Sequence, residues 1–310
     1  MKILLAGATG TISSELLPQL HAAGHSVIGL TRSAGSAERL QAAGVQPVVA
    51  DLMDADALLA ALDGHHADGV IHQATAITRT PRFHRHLFAT DALRDEGTRN
   101  LLRAANHLGA RRFITQSFFL GYGWRDHGPA YLTEDHPFAE LGHGPFDHHL
   151  RSLRSNEDQV LGAEGIHGVA LRYGLFYGPE RSTFMMMNLA RRRQLPVPRP
   201  AATMHLIHVA DAASATIAAL DRGRAGHAYN IVDDQPVGMA DYLNALAAAA
   251  GAPTPRRIPG WLLRATPYLH SILVRTQIRL DNSKAKRELD WTPKYPTYRE
   301  GLASAAAALR

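Results

Sequence analysis

Short apolar runs recur along the first 174 residues, each closed by a polar or glycine break: Ile3–Ala6, Ser26–Leu30, Val45–Ala50, Gly69–His72, Arg112–Ser117 and Gly168–Tyr173. They read as strands covered on both faces. Between them the apolar positions take helical spacing: from Ile12 onward, over Ser36–Ala43 with Gly44 as the stop, over Ala55–Leu62, around Thr98–Leu102 and over Arg151–Glu164. Strands alternating with helices at this spacing predict an α/β fold with a doubly wound parallel sheet and right-handed crossovers. Phe118–Gly144, rich in Gly, His, Pro and aromatics, interrupts the rhythm and reads as a loop over a ligand. Beyond Gly174 the pattern predicts helix over Phe184–Arg193, a rigid loop at Pro196–Pro200 and an extended His205–Val209. Helix over Asp211–Leu220, strand over Ala228–Val232, helix over Asp241–Ala250 and a linker at Pro253–Pro259 complete it.

The first strand runs into Gly7-Ala8-Thr9-Gly10, and a helix follows at once. Glycine at 7 lets the chain turn, and glycine at 10 lets the backbone approach a bound group. The helix N-terminus around Thr9, Gly10, Thr11 and Ile12 aims its N–H groups and positive dipole end at the same spot, which suits a pyrophosphate. Ser13 stands where the fingerprint has its third glycine. The context of strand, turn and helix predicts a dinucleotide site.

The second strand ends at Thr31-Arg32-Ser33, with no carboxylate for a ribose 2′-hydroxyl. The Arg32 fork, beside the Ser33 hydroxyl, fits a 2′-phosphate, so the expected cofactor is NADP(H) rather than NAD. A surface arginine at a strand end is the plain alternative. Asp51, followed by Leu52, closes the third strand on the ligand side; it accepts from an adenine amino group, caps the helix Ala55–Leu62, or does both. Gln73, Ala74 and Thr75 form a small-residue loop placed to pass the cofactor.

A chain of 310 residues with 45% hydrophobic content can bury a full core. The absence of cysteine excludes disulfides, thiolate zinc sites and cysteine nucleophiles. Eighteen histidines show no metal-ligand spacing, and no metal is expected. The formal charge of +5 and pI of about 9.6 raise nucleic acid, membrane surface or anionic ligand as partners. The one dense cluster, Arg191-Arg192-Arg193, reads as a solvated helix face, so neither nucleic acid nor membrane is expected. Trp261–Val274, the longest apolar stretch, is broken by Arg264, Pro267 and His270 and is too short to span a bilayer. The chain enters a strand at once, leaving no room for a cleavable signal, and the expected location is the cytoplasm.

With these motifs in this order, the chain resembles the extended short-chain dehydrogenase/reductase superfamily of the NAD-dependent epimerase/dehydratase type. The resemblance rests on Gly7–Gly10, Asp51-Leu52, Gln73–Thr75, Gly97–Leu101, Leu171–Pro179, Ile207–Ala213, Tyr229–Val232 and Lys284–Trp291. It implies a Rossmann-type NAD(P)-binding domain over residues 1–174, rejoined by 205–232. A smaller C-terminal substrate-binding lobe would comprise 175–204 and 233–310. It also implies a small-molecule substrate, Tyr173 among the cofactor contacts, and a homodimer paired through helices flanking the fourth and fifth strands.

The catalytic unit departs from the resemblance. That family carries Tyr-x-x-x-Lys on a helix, then a frequent Glu, with a Ser or Thr from the fifth strand. Anchored on Glu157, the Lys position falls on Leu153 and the Tyr position on His149. Ser117 stands one residue before the strand-five position, which Phe118 holds. In this the chain resembles the atypical members, which include reductases, redox-neutral enzymes and cofactor-binding regulators. His149 is the candidate proton donor, or a polar filler of the helix start. Ser117 is the candidate for polarising a carbonyl, or bonds only a strand edge. Tyr122, with His148 and Tyr173, is a weaker candidate that also fits a lid or core. The expected activity is an NADP(H)-dependent oxidoreductase acting on a small organic carbonyl or related group. A redox-neutral epimerase, lyase or cyclase and a non-enzymatic NADP-binding regulator stay open.

Overall fold

The computed structural model describes residues 1–142 and 144–309. In chain order the strands to residue 173 are β1 (Lys2–Ala6), β2 (Ser26–Thr31), β3 (Gln46–Val49), β4 (Gly69–His72), β5 (Arg112–Phe118), β6 (Asp126–Leu132) and β7 (His167–Tyr173). Then follow β8 (Leu175–Tyr177), β9 (Pro196–Arg199), β10 (Thr203–Met204), β11 (Leu206–His208), β12 (His227–Ile231), β13 (Val237–Gly238), β14 (Arg256–Pro259) and β15 (Gln277–Leu280). The helices are α1 (Ser13–Ala22), α2 (Ala34–Ala42), α3 (Ala55–Ala61), α4 (Phe88–Ala92), α5 (Thr98–His107), α6 (Phe146–Leu161), α7 (Arg181–Arg191), α8 (Val209–Arg222), α9 (Met239–Ala249), α10 (Pro267–His270), α11 (Ser283–Leu289) and α12 (Tyr298–Ala308). A wide turn at Leu93–Gly97 joins α4 to α5.

Seven strands form one parallel sheet in the order β12-β7-β5-β4-β1-β2-β3. Ile3 to Ala6 are fully buried, as a continuous apolar run in a sheet covered on both faces requires. Leu16 and Leu20 of α1 pack one face with Leu220 of α8. Leu58, Leu101 and Val160 pack the other. The strand order reverses between β1 and β4, so the crevice beyond their C-terminal ends is where a doubly wound sheet takes its ligand. A separate apolar cluster joins Met187 of α7, Leu243 of α9 and Leu302 of α12 to Tyr122, Trp124 and Leu153.

Several expectations are corrected. The stretch read as a ligand loop, as far as it lies in the described residues, is structured in part, with a buried turn at Phe119–Tyr122 and a mostly exposed strand after it. Phe119 and Leu120 are fully buried in a tight turn, and β6 follows, paired with β15 in a second sheet, β13-β10-β15-β6. Pro129 is tolerated there because β6 is an edge strand, where a missing N–H costs no ladder bond. The linker Pro253–Pro259 contains β14, which pairs in parallel with β9 in the stretch read as a rigid loop. Helix α6 begins at Phe146 rather than Arg151, which places His149 inside it. Asp54, not Asp51, caps α3 by accepting from the Ala57 N–H at 3.0 Å; Asp51 accepts from Met53 N–H at 2.9 Å.

Gly168 sets the distance of α6 from the sheet: a Cβ there would lie 1.9 Å from the Val160 carbonyl oxygen. Gly168→Ala is therefore expected to cost about 2 kcal/mol or more, because the helix has to move off β7. Urea unfolding measures it, and a loss below about 0.5 kcal/mol would contradict this packing.

Candidate active site

An open cleft of about 2140 Å³ runs along the C-terminal ends of the central strands. One end is walled by Gly7, Thr9, Gly10, Thr11 and Ile12, by Arg32 and Ser33, and by Asp51 and Leu52. The loop Gln73, Ala74 and Thr75 lines its middle. Gly7 takes φ +86°, and a Cβ there would meet the Gln73 carbonyl carbon at 2.6 Å, so the turn and the loop can close on each other only at glycine. Ser13 donates to the Gly7 carbonyl at 2.8 Å, so its hydroxyl braces the turn where the fingerprint has glycine. Ser33 caps α2, accepting from Ser36 N–H at 3.3 Å. Arg32 is exposed at the cleft and makes no ion pair among the described residues.

Tyr173 lies behind this wall rather than on it. Fully buried, it accepts from the Gln73 amide at 3.0 Å and shares a 2.7 Å hydrogen bond with Thr216, and burial pushes its phenol up to about 12. Its geometry orients Gln73. His72, also buried, is pushed down to about 4 by burial despite its bond to the Leu93 carbonyl. Its neutral ring donates there through Nε2 and accepts from the Ala74 N–H at Nδ1 (3.3 Å), holding the loop from beneath.

Ser117 and Tyr122 belong to a buried network behind the cleft and do not line it. Ser117 donates to Glu157 Oε1 at 2.5 Å. Arg172 holds Glu157 through Nε (3.0 Å to Oε1) and Nη2 (2.7 Å to Oε2), and its Nη1 donates to Tyr122 Oη at 2.7 Å. Tyr122 in turn has the Asn230 side-chain oxygen (3.0 Å) and the Thr133 carbonyl (3.1 Å) as acceptors for its one proton, and burial pushes it up to about 12. Strand alternation explains the placement: Gln116 and Phe118 face the cleft, and Ser117 faces the other way.

His149 does line the cleft. It is 1% exposed, with Nδ1 2.7 Å from Asp91 Oδ2 and Nε2 3.0 Å from His84 Nδ1. Burial pushes the Asp91 carboxyl up, but the bonds from His149 and Ser152 and the charge of Arg94 outweigh it and hold it below the usual range. An ionised Asp91 accepts from His149 Nδ1–H, and Nε2 of the same ring faces His84 Nδ1. Burial, and then the neighbouring His149, also push His84 down. Leu153 is fully buried in the apolar cluster with Leu150 and Trp124. The rest of this end is Phe118, Trp124, Phe176, Tyr268, Leu269 and Ile272, with Arg94 among them.

Asp91, Arg94, His84 and Tyr268 are the site residues that the sequence reading missed. Asp91 and Arg94 precede the recognisable Gly97–Leu101 motif by one or two turns, but nothing local marks them. The signal is the fold itself, which brings Asp91 to His149 across 58 residues.

A family model, the NAD dependent epimerase/dehydratase family, matches residues 3–232. The chain belongs to that family. Family members depend on a nicotinamide dinucleotide, and both epimerases and reductases are found among this chain's relatives. A 3-diazoavenalumate denitrifying reductase from a Streptomyces is 33% identical over 97% of this chain and 99% of its own. A quinoline-oxide ketoreductase from Stigmatella aurantiaca is 26% identical over 97% and 95%. In fold, the chain is similar to the Thermotoga maritima UDP-glucose 4-epimerase in complex with UDP-glucose, with TM-score 0.80, 21% identity and coverage of 100% and 99%. Among the described residues no helix is long and apolar enough to cross a membrane.

The Glu157–Arg172 pair gives the site its testable rigidity. Glu157→Ala strands a buried guanidinium and is expected to cost about 3–5 kcal/mol, with Glu157→Met/Arg172→Met losing less than the single change. Urea unfolding of the three proteins decides it, and a loss within 1 kcal/mol for the single variant would mean that the pair is solvated.

Proposed function

We propose that this chain is an NADP(H)-dependent oxidoreductase that reduces a small organic carbonyl or a related electrophilic group. The observation that carries the cofactor choice is Arg32. It closes β2 at the cleft with no carboxylate beside it, where a 2′-hydroxyl would call for an acid and a 2′-phosphate for a guanidinium. The cradle also fits a dinucleotide: Gly7 and Gly10 leave the turn bare. Gln73 Oε1, on a cleft-lining residue, is buried without a hydrogen-bond partner among the described residues. Reduction is favoured over redox-neutral chemistry because the 33%-identical relative is named a reductase, and a ketoreductase and a 2-alkyl-3-oxoalkanoate reductase stand beside it. An open, apolar-walled cleft is what an enzyme needs and a regulator with a filled pocket would lack.

When bound, the nicotinamide supplies the hydride. The chain's residues position and protonate. Thr9, Gly10, Thr11 and Ile12 at the start of α1 take the pyrophosphate, Arg32 and Ser33 the 2′-phosphate, and Asp51 and Leu52 the adenine side. Gln73, Ala74 and Thr75, with Tyr173 orienting Gln73, hold the nicotinamide end. Asp91 clamps His149, so a proton taken up at His84 passes to His149 Nε2, and the carboxylate stabilises the resulting cation. Release of the His84 contact turns that N–H toward the cleft. Ser117 and Tyr122 serve as positioning residues, through Glu157 and α6.

Two measurements test this. Arg32→Glu is expected to weaken NADPH about 10- to 100-fold, the worth of a charge-assisted hydrogen bond, with NADH changed less than about threefold. Nicotinamide fluorescence titration reads both, and equal losses would remove the 2′-phosphate role. His149→Phe is expected to lower kcat at least about 100-fold with NADPH affinity intact, and unimpaired turnover would end its role as proton donor.

A further inference from the structure

The substrate end of the cleft holds a cation that the proposed cofactor does not use and that meets the proton relay only through Asp91. Arg94, in the turn between α4 and α5, is 7% exposed and lines the cleft among Phe118, Trp124, Tyr268, Leu269 and Ile272. Its one side-chain partner among the described residues is Asp91 Oδ1, through Nη1 at a long 3.4 Å. That carboxylate is 2% exposed, does not line the cleft, and has its shorter bonds to His149 (2.7 Å) and Ser152 (2.8 Å). A guanidinium carries five N–H donors in a planar fork, so most of those of Arg94 are left to the cleft.

A buried cation is costly unless it is paired and hydrogen-bonded. Burial disfavours the Arg94 charge, and Asp91 supports it. No further acid on the wall completes the pairing. The two carboxylates that line the cleft are engaged elsewhere: Asp51 with the Met53 N–H beside the proposed adenine end, and Glu180 capping α7 through Ser182 and Thr183. Arg79 and Arg82, exposed at the rim, add the same sign of charge. The donors of Arg94 that Asp91 does not take are open to a ligand in the cleft.

We propose that Arg94 receives the carboxylate of the substrate, and that the substrate class is a small aromatic or aliphatic carboxylic acid. The planar fork matches a carboxylate in bidentate geometry. The aromatic and aliphatic walls match an apolar body and offer few partners for the hydroxyls of a sugar, which would be left unpaired there. The proposal rests on the reductase reading for what happens to the acid after it binds, but not for its binding.

The test is calorimetric titration of the NADP⁺-loaded protein with benzoate, cinnamate and decanoate, each against its own amide. At least one acid is expected to bind tenfold or more tightly than its amide. Arg94→Met is expected to erase that preference and Arg94→Lys to keep part of it, with NADPH affinity in both within about twofold of the parent. Equal binding of every acid and amide by the parent protein would overturn the proposal without any variant, and so would a preference that survives in Arg94→Met. Failure of the parent to bind NADPH would overturn the cofactor reading instead, and the acid–amide comparison is then made on the cofactor-free chain.

Discussion

The interaction on which the site depends is the ion pair of Glu157 and Arg172, closed off from water between α6 and β7. Two charges out of water repay their desolvation only when the geometry is good and the remaining lone pairs and protons are satisfied. Here Glu157 accepts from two guanidinium nitrogens and from Ser117, and Arg172 spends its third nitrogen on Tyr122 while its plane lies over the Phe138 ring at 4.4 Å. Residues from β5, the turn after it, α6, β7 and, through Asn230, β12 are thus held in one register. Removing one member of such a network leaves the other as an uncompensated buried charge.

With its C-terminal half anchored this way and Gly168 letting it lie close to the sheet, α6 presents its first turns to the cleft. What they present is not the phenol and ammonium of the wider family. His149 stands there, and Leu153 is buried in an apolar cluster that an ammonium could join only at the cost of an unpaired charge. On the proposed reading, cofactor affinity then falls to the start of α1 and to Arg32, and proton supply to an imidazole rather than a phenol.

Much of this frame was legible in the sequence. Every strand of the central sheet coincides with a predicted apolar run to within a residue or two, and the inner strands do so because a strand buried on both faces has nowhere to hide its composition. Gly7 and Gly10 declared themselves by the turn they make. What misled was side-chain direction. Ser117 is a residue type that polarises carbonyls, yet alternation along β5 turns it toward Glu157, and Phe118 takes the cleft. Of the lid and core placements that Tyr122 fitted, the structure takes the core one. The stretch after β5 looked like loop because its glycines, prolines and histidines mask an edge strand, the kind that tolerates Pro129. Asp91 and Arg94 were invisible for a different reason: their meaning lies in partners brought by the fold, and no local pattern encodes a contact across 58 residues.

The substrate end has an electrostatic arrangement in which one carboxylate serves two claimants. Asp91 bonds His149 through one oxygen and Arg94, more distantly, through the other. When His149 is neutral, Asp91 has charge to spare for Arg94. When the ring takes a proton, the carboxylate is drawn to it, and the guanidinium is left more in need of an anion. On the proposed reading an acid seated at Arg94 therefore favours the protonated relay, and the protonated relay favours the acid, since a coupling of this kind acts equally in both directions. The size of the coupling is bounded by the separation of the two contacts and by their burial, which keeps water from screening it.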